Sequence, residues 1–379
     1  MQAIGPRLST LGTQYSAAQV RALLQQPVLL ESVAFERIHA GASLGEFTSS
    51  VREQGAVVAH DTTRTVCRTL QATVRQDAGL DWYNDWVRVW RRYGASDGGW
   101  IDVLLGTFVP VAPGRTVDDS ATWRTLVMGD VTQIFNDTNL TQSLTIAAGA
   151  GYLASAIGLA QQVAPGPYIA QPDARVLPAS LSWPAGTSVL TVINALLKAI
   201  GYQSLWADEA AVLRFAPLFD FASQPPAYLF DLTQPSTSQA LHPFNETRDT
   251  TQAFNACQYL GQDPRQAVVS GYYENVNPLS EVSTVNFRKK LVVITNSAVA
   301  DVASATVLAK NAVQQASRAY RPEVIETVDW PFSQHLDVYA VAWNNPDDGL
   351  QIANHLETAW TMKLEPGGAT QHSLQLAIV

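Results

Sequence analysis

The chain has 379 residues, a mass of 41.1 kDa and a net charge of -9, with 47% hydrophobic and 15% charged residues. That length predicts two to four domains. The acidic balance argues against ordinary binding to phosphate backbones, although it suits a conduit that nucleic acid must slide through without being held. The low charge density points to a surface partly covered by partners.

From Met1 to Arg21 no basic stretch precedes an apolar run, so no signal peptide is expected. Residues 1–27 read as a lead-in, with Ser16 and Gln19 forming a capping box for a short helix through Leu24. Strands are predicted at Val28–Ala40, Thr65–Arg75, Trp86–Arg92, Trp100–Pro110 and Thr122–Phe135. In the third of these, Trp86, Arg88, Trp90 and Arg92 share one face, and Val87, Val89 and Arg91 the other. Asp97-Gly98-Gly99 supplies hairpin chemistry between the third and fourth. Short strands with Gly-rich turns predict an antiparallel barrel or sandwich over 28–140.

Residues 141–220 differ. Ala147–Val163 and Thr187–Ile200 read as helices, the first Gly- and Ala-rich and too short for a membrane span. Val189, Ile193, Leu196, Leu197 and Ile200 make one stripe on the second, and Gly201 suits its C-terminal cap. Short strands follow at Ser204–Trp206 and Ala211–Phe215. A shift of 37 residues lays Ser143–Gly149 over Ser180–Gly186, Leu153 over Leu190, Leu159 over Leu196 and Val163 over Ile200. This predicts two copies of one strand–turn–helix unit, 143–171 and 180–208.

Pro217 and Pro225-Pro226 open an expected linker, 221–252. The remainder, 253–379, is strand-rich, with candidates at Phe254–Leu260, Gln266–Tyr273, Phe287–Asn296, Val324–Trp330, Leu336–Trp343, Leu350–Lys363 and Gln371–Val379. An Ala-rich helix over 301–320 interrupts them. The fold class expected is β-rich α+β: two antiparallel β-barrels flanking a small α/β repeat domain.

Chemistry is sparse. Cys67 and Cys257 lie in predicted strands without metal-ligand spacing, and read as buried free thiols rather than a disulfide. Gly41-Ala42-Ser43-Leu44-Gly45 fits the G-x-S-x-G nucleophile elbow. No apolar-striped helix follows it, so a loop is the simpler reading and a serine hydrolase using Ser43 the remote one. His39, His60, His242, His335, His355 and His372 show no i+3 or i+4 pairing, so no helical metal site is expected. Asp347-Asp348-Gly349 lacks the alternating ligands of a calcium loop. The sequons at Asn136, Asn139 and Asn245 carry little meaning without a secretion signal. Arg88, Trp90, Arg91, Arg92 and Tyr93 form a basic-aromatic cluster, whose arginines are expected to meet acids of a neighbouring chain. No catalytic, cofactor-binding or metal-binding residue is assigned.

One stretch carries a resemblance. Ser182-Trp183-Pro184-Ala185-Gly186-Thr187-Ser188-Val189-Leu190, with Ile193–Leu197, Ala199–Tyr202, Leu205–Asp208 and Leu213–Pro217, resembles the centre of baseplate-hub or minor tail proteins of long-tailed bacteriophages. Arg91–Gly94 with Leu105–Phe108 is similar to that family's first barrel, and Trp360–Leu364 with Gly367-Gly368 to its final hairpin. The resemblance implies a homotrimeric ring at the distal end of the tail tube, made in the host cytoplasm and built into the virion. Its implied neighbours are the tail tube or distal tail protein, the tape-measure protein, and tip or fibre proteins. DNA passes only in transit, and no membrane insertion by this chain is implied. A distal tail protein or receptor-side adaptor in a hexameric ring is the alternative. Trp183 and Trp206 are read as packing between the two repeated units.

Overall fold

The computed structural model describes residues 7–377 apart from 27–29, 53, 118–121, 235–238, 252, 262–268, 296–298, 300 and 346–348, and apart from the side chains of 242–244. The lead-in holds β1 (Arg7–Leu8), β2 (Gln14–Tyr15) and α1 (Ala17–Leu24). Then come β3 (Glu31–His39), β4 (Ala42–Glu46), β5 (Val57–Asp61), β6 (Arg68–Arg75), β7 (Trp86–Gly94), β8 (Trp100–Pro110), β9 (Gly114–Val117), β10 (Thr122–Asp130) and α2 (Thr132–Asp137). The middle holds β11 (Leu144–Ile146), α3 (Tyr152–Val163), β12 (Tyr168–Ala170), β13 (Leu181–Trp183), α4 (Val189–Ala199), β14 (Trp206–Ala207) and β15 (Leu213–Phe215). The last part holds β16 (Tyr228–Asp231), β17 (Ala240–Glu246), β18 (Ala256–Gly261), β19 (Val269–Glu274), β20 (Leu291–Thr295), α5 (Val302–Ala319), β21 (Pro322–Val328), β22 (Val338–Asn345), β23 (Gly349–Lys363) and β24 (Ala369–Leu376). With 44% of residues in strands and 18% in helices, the chain is β-rich α+β.

Local chemistry explains several boundaries. Ser16 accepts from the Gln19 amide at 3.3 Å and Gln19 Oε1 from the Ser16 amide at 2.8 Å, the reciprocal cap that starts α1. The strand expected to reach Phe135 stops at Asp130. There Asp130 Oδ1 accepts from the Thr132 amide and hydroxyl, turning the chain into α2. Residues 221–252, expected as a linker, carry β16 and β17 instead. Their backbones pair with β22 and β21, because unpaired amides beside a sheet edge gain partners by joining it.

The two strand regions share one 14-stranded sheet. Its main path is β17-β21-β24-β23-β5-β6-β10-β8-β7-β3-β4, and its described bonds do not close it into a ring. The joint is β5 against the last residues of β23, Ala359↔Asp61 through Lys363↔Val57. At about 3.3 Å per residue the 15 residues of β23 reach about 50 Å, long enough to serve both halves. The cores follow the same exchange. Trp360, Met362 and Leu364 pack with Val58, Leu70, Val87 and Phe108, while Tyr93, Ile101 and Val103 pack with Phe230, Ile325, Trp330 and Leu374. Each such side chain contributes about 1.5–3 kcal/mol of burial. The helix over 301–320 is seen as α5, but it packs on a separate three-stranded sheet, β19-β18-β20.

The 37-residue offset in the sequence has a counterpart in the backbone. β11 and β13 start 37 residues apart, as do α3 and α4. β11 pairs antiparallel with β13, and Thr145 and Ser182, equivalent residues, face each other at 2.8 Å between hydroxyls. The Gly149 amide donates to the Leu177 carbonyl and the Gly186 amide to the Leu140 carbonyl, both at 2.8 Å. Leu177 returns a bond to Ala150, and Leu140 to Thr187. Leu140 and Leu177, each three residues ahead of one strand–turn–helix unit, thus dock on the turn of the other unit. The turns need Gly149 and Gly186 at φ +85° and +87°. Ile169 and Trp206, also equivalent, both pair with Arg214 from opposite sides of β15.

Candidate functional site

Three parts of the chain meet beside the small sheet β12-β15-β14. The turn between β14 and β15 is shaped by Asp208, whose Oδ1 accepts from the amides of Ala210 and Val212. This turn drives Glu209 inward. Its carboxylate accepts from Arg68 Nη2 at 2.7 Å and Gln334 Nε2 at 3.1 Å, and its carbonyl from Thr107 Oγ1 at 2.9 Å. Arg68 and Glu209 are both buried. Beside them stands an aromatic column. Trp206 stacks on His335 at 4.4 Å, the His335 ring meets His60 with 3.3 Å between Nδ1 and Nε2, and His60 stacks on Trp360 at 6.0 Å.

Burial, then the charge of Arg68, pushes the His335 imidazole down to about 3. His60 is lowered well below its usual value by burial, Arg68 and His335, in that order. Both rings are neutral at physiological pH, so the column is held by stacking and one N–H···N bond. A cleft of about 360 Å³ opens between this junction and the small sheet, lined by Ile169, Gln171, Trp206, Asp208, Arg214 and Gln334. Among the described residues no group of three or more His, Cys, Asp or Glu side chains is arranged to hold a metal ion.

A second buried polar cluster lies where β23 and β24 pair in the large sheet. His372 Nδ1 and Glu357 Oε1 are 2.5 Å apart, and Ser333 Oγ donates to the same oxygen at 3.1 Å. Burial holds His372 down at about 3 and raises Glu357 well above the carboxylate range. Asp337 is pushed up to about 7 by burial and by the charge of Glu357.

The residues singled out from sequence fall as follows. His60 and His335 come together, His372 and His355 each meet a glutamate, and His39 Nδ1 lies 2.6 Å from Asp85. His242's side chain and Asp347-Asp348 lie outside the described residues. Cys67 and Cys257 are free and buried, with burial pushing the Cys67 thiol up to about 12. Ser43 sits on β4, an exposed strand reached from β3 through a two-residue turn with Ala40 at φ +48° and Gly41 at φ +82°. A nucleophile elbow requires strand, turn and helix, and this is strand, turn and strand. Its hydroxyl meets only the Gly45 amide, at 3.5 Å, among the bonds of the described residues.

The arginine cluster also differs from expectation. Arg91, on the valine face of β7, is buried and bonds Asp329 and Glu31 at 2.6 Å each. Arg92 bonds Glu46 of β4. Their acids belong to this chain, not to a neighbour, because alternation turns Arg91 into the core, where a guanidinium must be paired. Trp183 packs with Leu144 in the middle core, whereas Trp206 leaves that core for His335. No local signal announces that contact, which joins residues 129 positions apart.

No family model and no curated protein matches the sequence. Solved structures do match the fold. The tail protein from Neisseria meningitidis MC58 superposes with a TM-score of 0.64 at 14% identity, covering 91% of this chain and 96% of that one. The 43 kDa tail protein of prophage MuSo2 from Shewanella oneidensis gives 0.60 at 11% identity, covering 91% and 98%. Prophage tail protein gp18 from Listeria monocytogenes EGD-e gives 0.54 at 10%, covering 90% and 94%. The chain has the fold of phage tail proteins. Among the described residues no helix is long and apolar enough to cross a membrane.

Proposed function

We propose that the chain is the structural hub of a phage tail tip, with three copies forming a ring that joins the tail tube to the distal tip and lets DNA pass. The observation that carries this is end-to-end likeness: tail proteins match this fold over 91% of the chain and over 96–98% of their own length. A partial match would fit a borrowed domain; a full-length one fits a shared architecture. On this reading the strand regions 28–140 and 253–379 act as two tube-like barrels per copy, so three copies present six to a six-fold tube. The net charge of -9 suits a lumen that must not retain DNA. The tail tube or distal tail protein would sit on one side, tip or fibre proteins on the other, and the tape-measure protein would end in the lumen. No catalysis is assigned.

Sedimentation equilibrium of the purified chain tests the assembly, and electron microscopy of particles lacking it tests the role. Three times 41.1 kDa with tail-less particles is the expected result. A six-fold mass would move the reading to a distal tail adaptor, and a monomer absent from tails would remove it. A serine-directed fluorophosphonate should leave Ser43 unlabelled.

A further inference from the structure

Among the described residues the sheet β19-β18-β20 has one covered face, and its outer strands, β19 and β20, each leave one edge unpaired. α5 lies so close on the covered face that a Cβ on Gly271 would stand 2.2 Å from the Thr306 backbone nitrogen. On the opposite face Tyr272, Leu291 and Val293 are 46–52% exposed. β20 reads Leu-Val-Val-Ile-Thr, four apolar residues of which three are β-branched. It pairs only with β18 among the described residues, in parallel register.

The Ala256 amide donates to the Lys290 carbonyl at 3.2 Å, which fixes the phase of that pairing. The amides of Val292 and Ile294 face β18, and those of Leu291, Val293 and Thr295 face outward. An apolar edge with unpaired amides is a template for another strand. Immediately before it stand Arg288, Lys289 and Lys290, the chain's only three consecutive basic residues. Arg288 and Lys289 are exposed; Lys289 also pairs with Glu274 of β19 at 2.6 Å, so three cations against one acid leave a local excess of two positive charges. Residues 253–320 hold six basic and four acidic side chains, a net charge of +2, while the rest of the chain carries -11.

We propose that β20 takes, as a fourth strand, an extended segment of another protein whose residues alternate apolar and polar and which ends in a cluster of acids against Arg288–Lys290. Among the described residues β4, β9, β16, β17 and β19 also leave an edge free, and none has a run of basic residues at its end. β4, β16, β17 and β19 each end on an acid, Glu46, Asp231, Glu246 and Glu274, which would repel an acidic segment. β9 carries Arg115 within its four residues.

Fluorescence anisotropy of the full chain with two labelled peptides tests this. Both alternate valine and threonine over six residues; one ends in three glutamates, the other in three lysines. The glutamate peptide binds at least about 10-fold more tightly in low salt, and the gap narrows at high ionic strength. Val293→Pro, which removes an outward amide and none that faces β18, weakens binding at least about 10-fold with the melting temperature and mass unchanged. R288E/K289E reverses the peptide preference, a readout independent of whether the proline variant folds. Equal affinity for both peptides, binding to neither, or V293P binding like the parent overturns the proposal. A parent self-association that V293P abolishes also overturns it, by making a second copy the occupant.

Discussion

At the residue scale the contact between Arg68 and Glu209 is the clearest case of stability depending on a pair. Both charges are withdrawn from water, so neither can lose its partner cheaply. Glu209→Gln should cost about 3–5 kcal/mol by leaving a buried guanidinium uncompensated, read from guanidinium-chloride midpoints. Replacing both residues with apolar ones of similar volume should cost much less, and equal losses would remove the pair as the cause. Asp337 makes a pH prediction. Its folded value of about 7 exceeds the unfolded value near 3.9, so its contribution is complete below about pH 4 and is lost as pH rises through about 7. Relative to Asp337→Asn, the parent should lose up to about 1.4 kcal/mol per pH unit across that window. Parallel pH profiles for the two proteins would show that the carboxyl is not buried neutral. His335, lowered to about 3, works in the opposite direction, its contribution being lost as pH falls from about 6.5.

At the element scale, the matching bonds and backbone angles of the two turns predict paired behaviour. Gly149 and Gly186 occupy equivalent left-handed positions, and nothing stands within 4 Å of a Cβ at either. The cost of alanine is then backbone strain alone, about 1–2 kcal/mol at each site, and unequal costs in thermal unfolding would show the two turns are not equivalent. Elements were legible where the signal was local. The Ser16 cap, the stripe of α4 and the 37-residue offset all lie within a few turns of chain. β5 was not legible. Five residues with Val57 and Ala59 on one face and Val58 and His60 on the other give almost no periodicity, and its pairing with β23 lies roughly 300 residues away. Arg91's face was readable from alternation, but its acid, Asp329, was not, since no periodic pattern links them. The column of Trp206, His335, His60 and Trp360 was missed for the same reason.

At the scale of the whole molecule, exchange between the ends should make unfolding of the large sheet one event. Trp360 is 3% exposed and packs among residues of the first strand region. Trp360→Ala should cost about 3–5 kcal/mol. It should lower the unfolding midpoint of both strand regions together, as followed by hydrogen exchange at Val58 and at Val341. A loss confined to the last third would mean that the two regions unfold as separate units.

The β5–β23 joint also bears on how the protein is made. A ribosome adds about 5–20 residues per second, so roughly 300 residues separate the two partners by about 15–60 s. Throughout that interval β5 has been synthesised and its second neighbour has not. The nascent first region presents Val58 and Leu70 with part of their cover missing, and final closure waits until the last strands have left the exit tunnel. Expression yield should therefore respond to the supply of chaperones that shield nascent apolar surface.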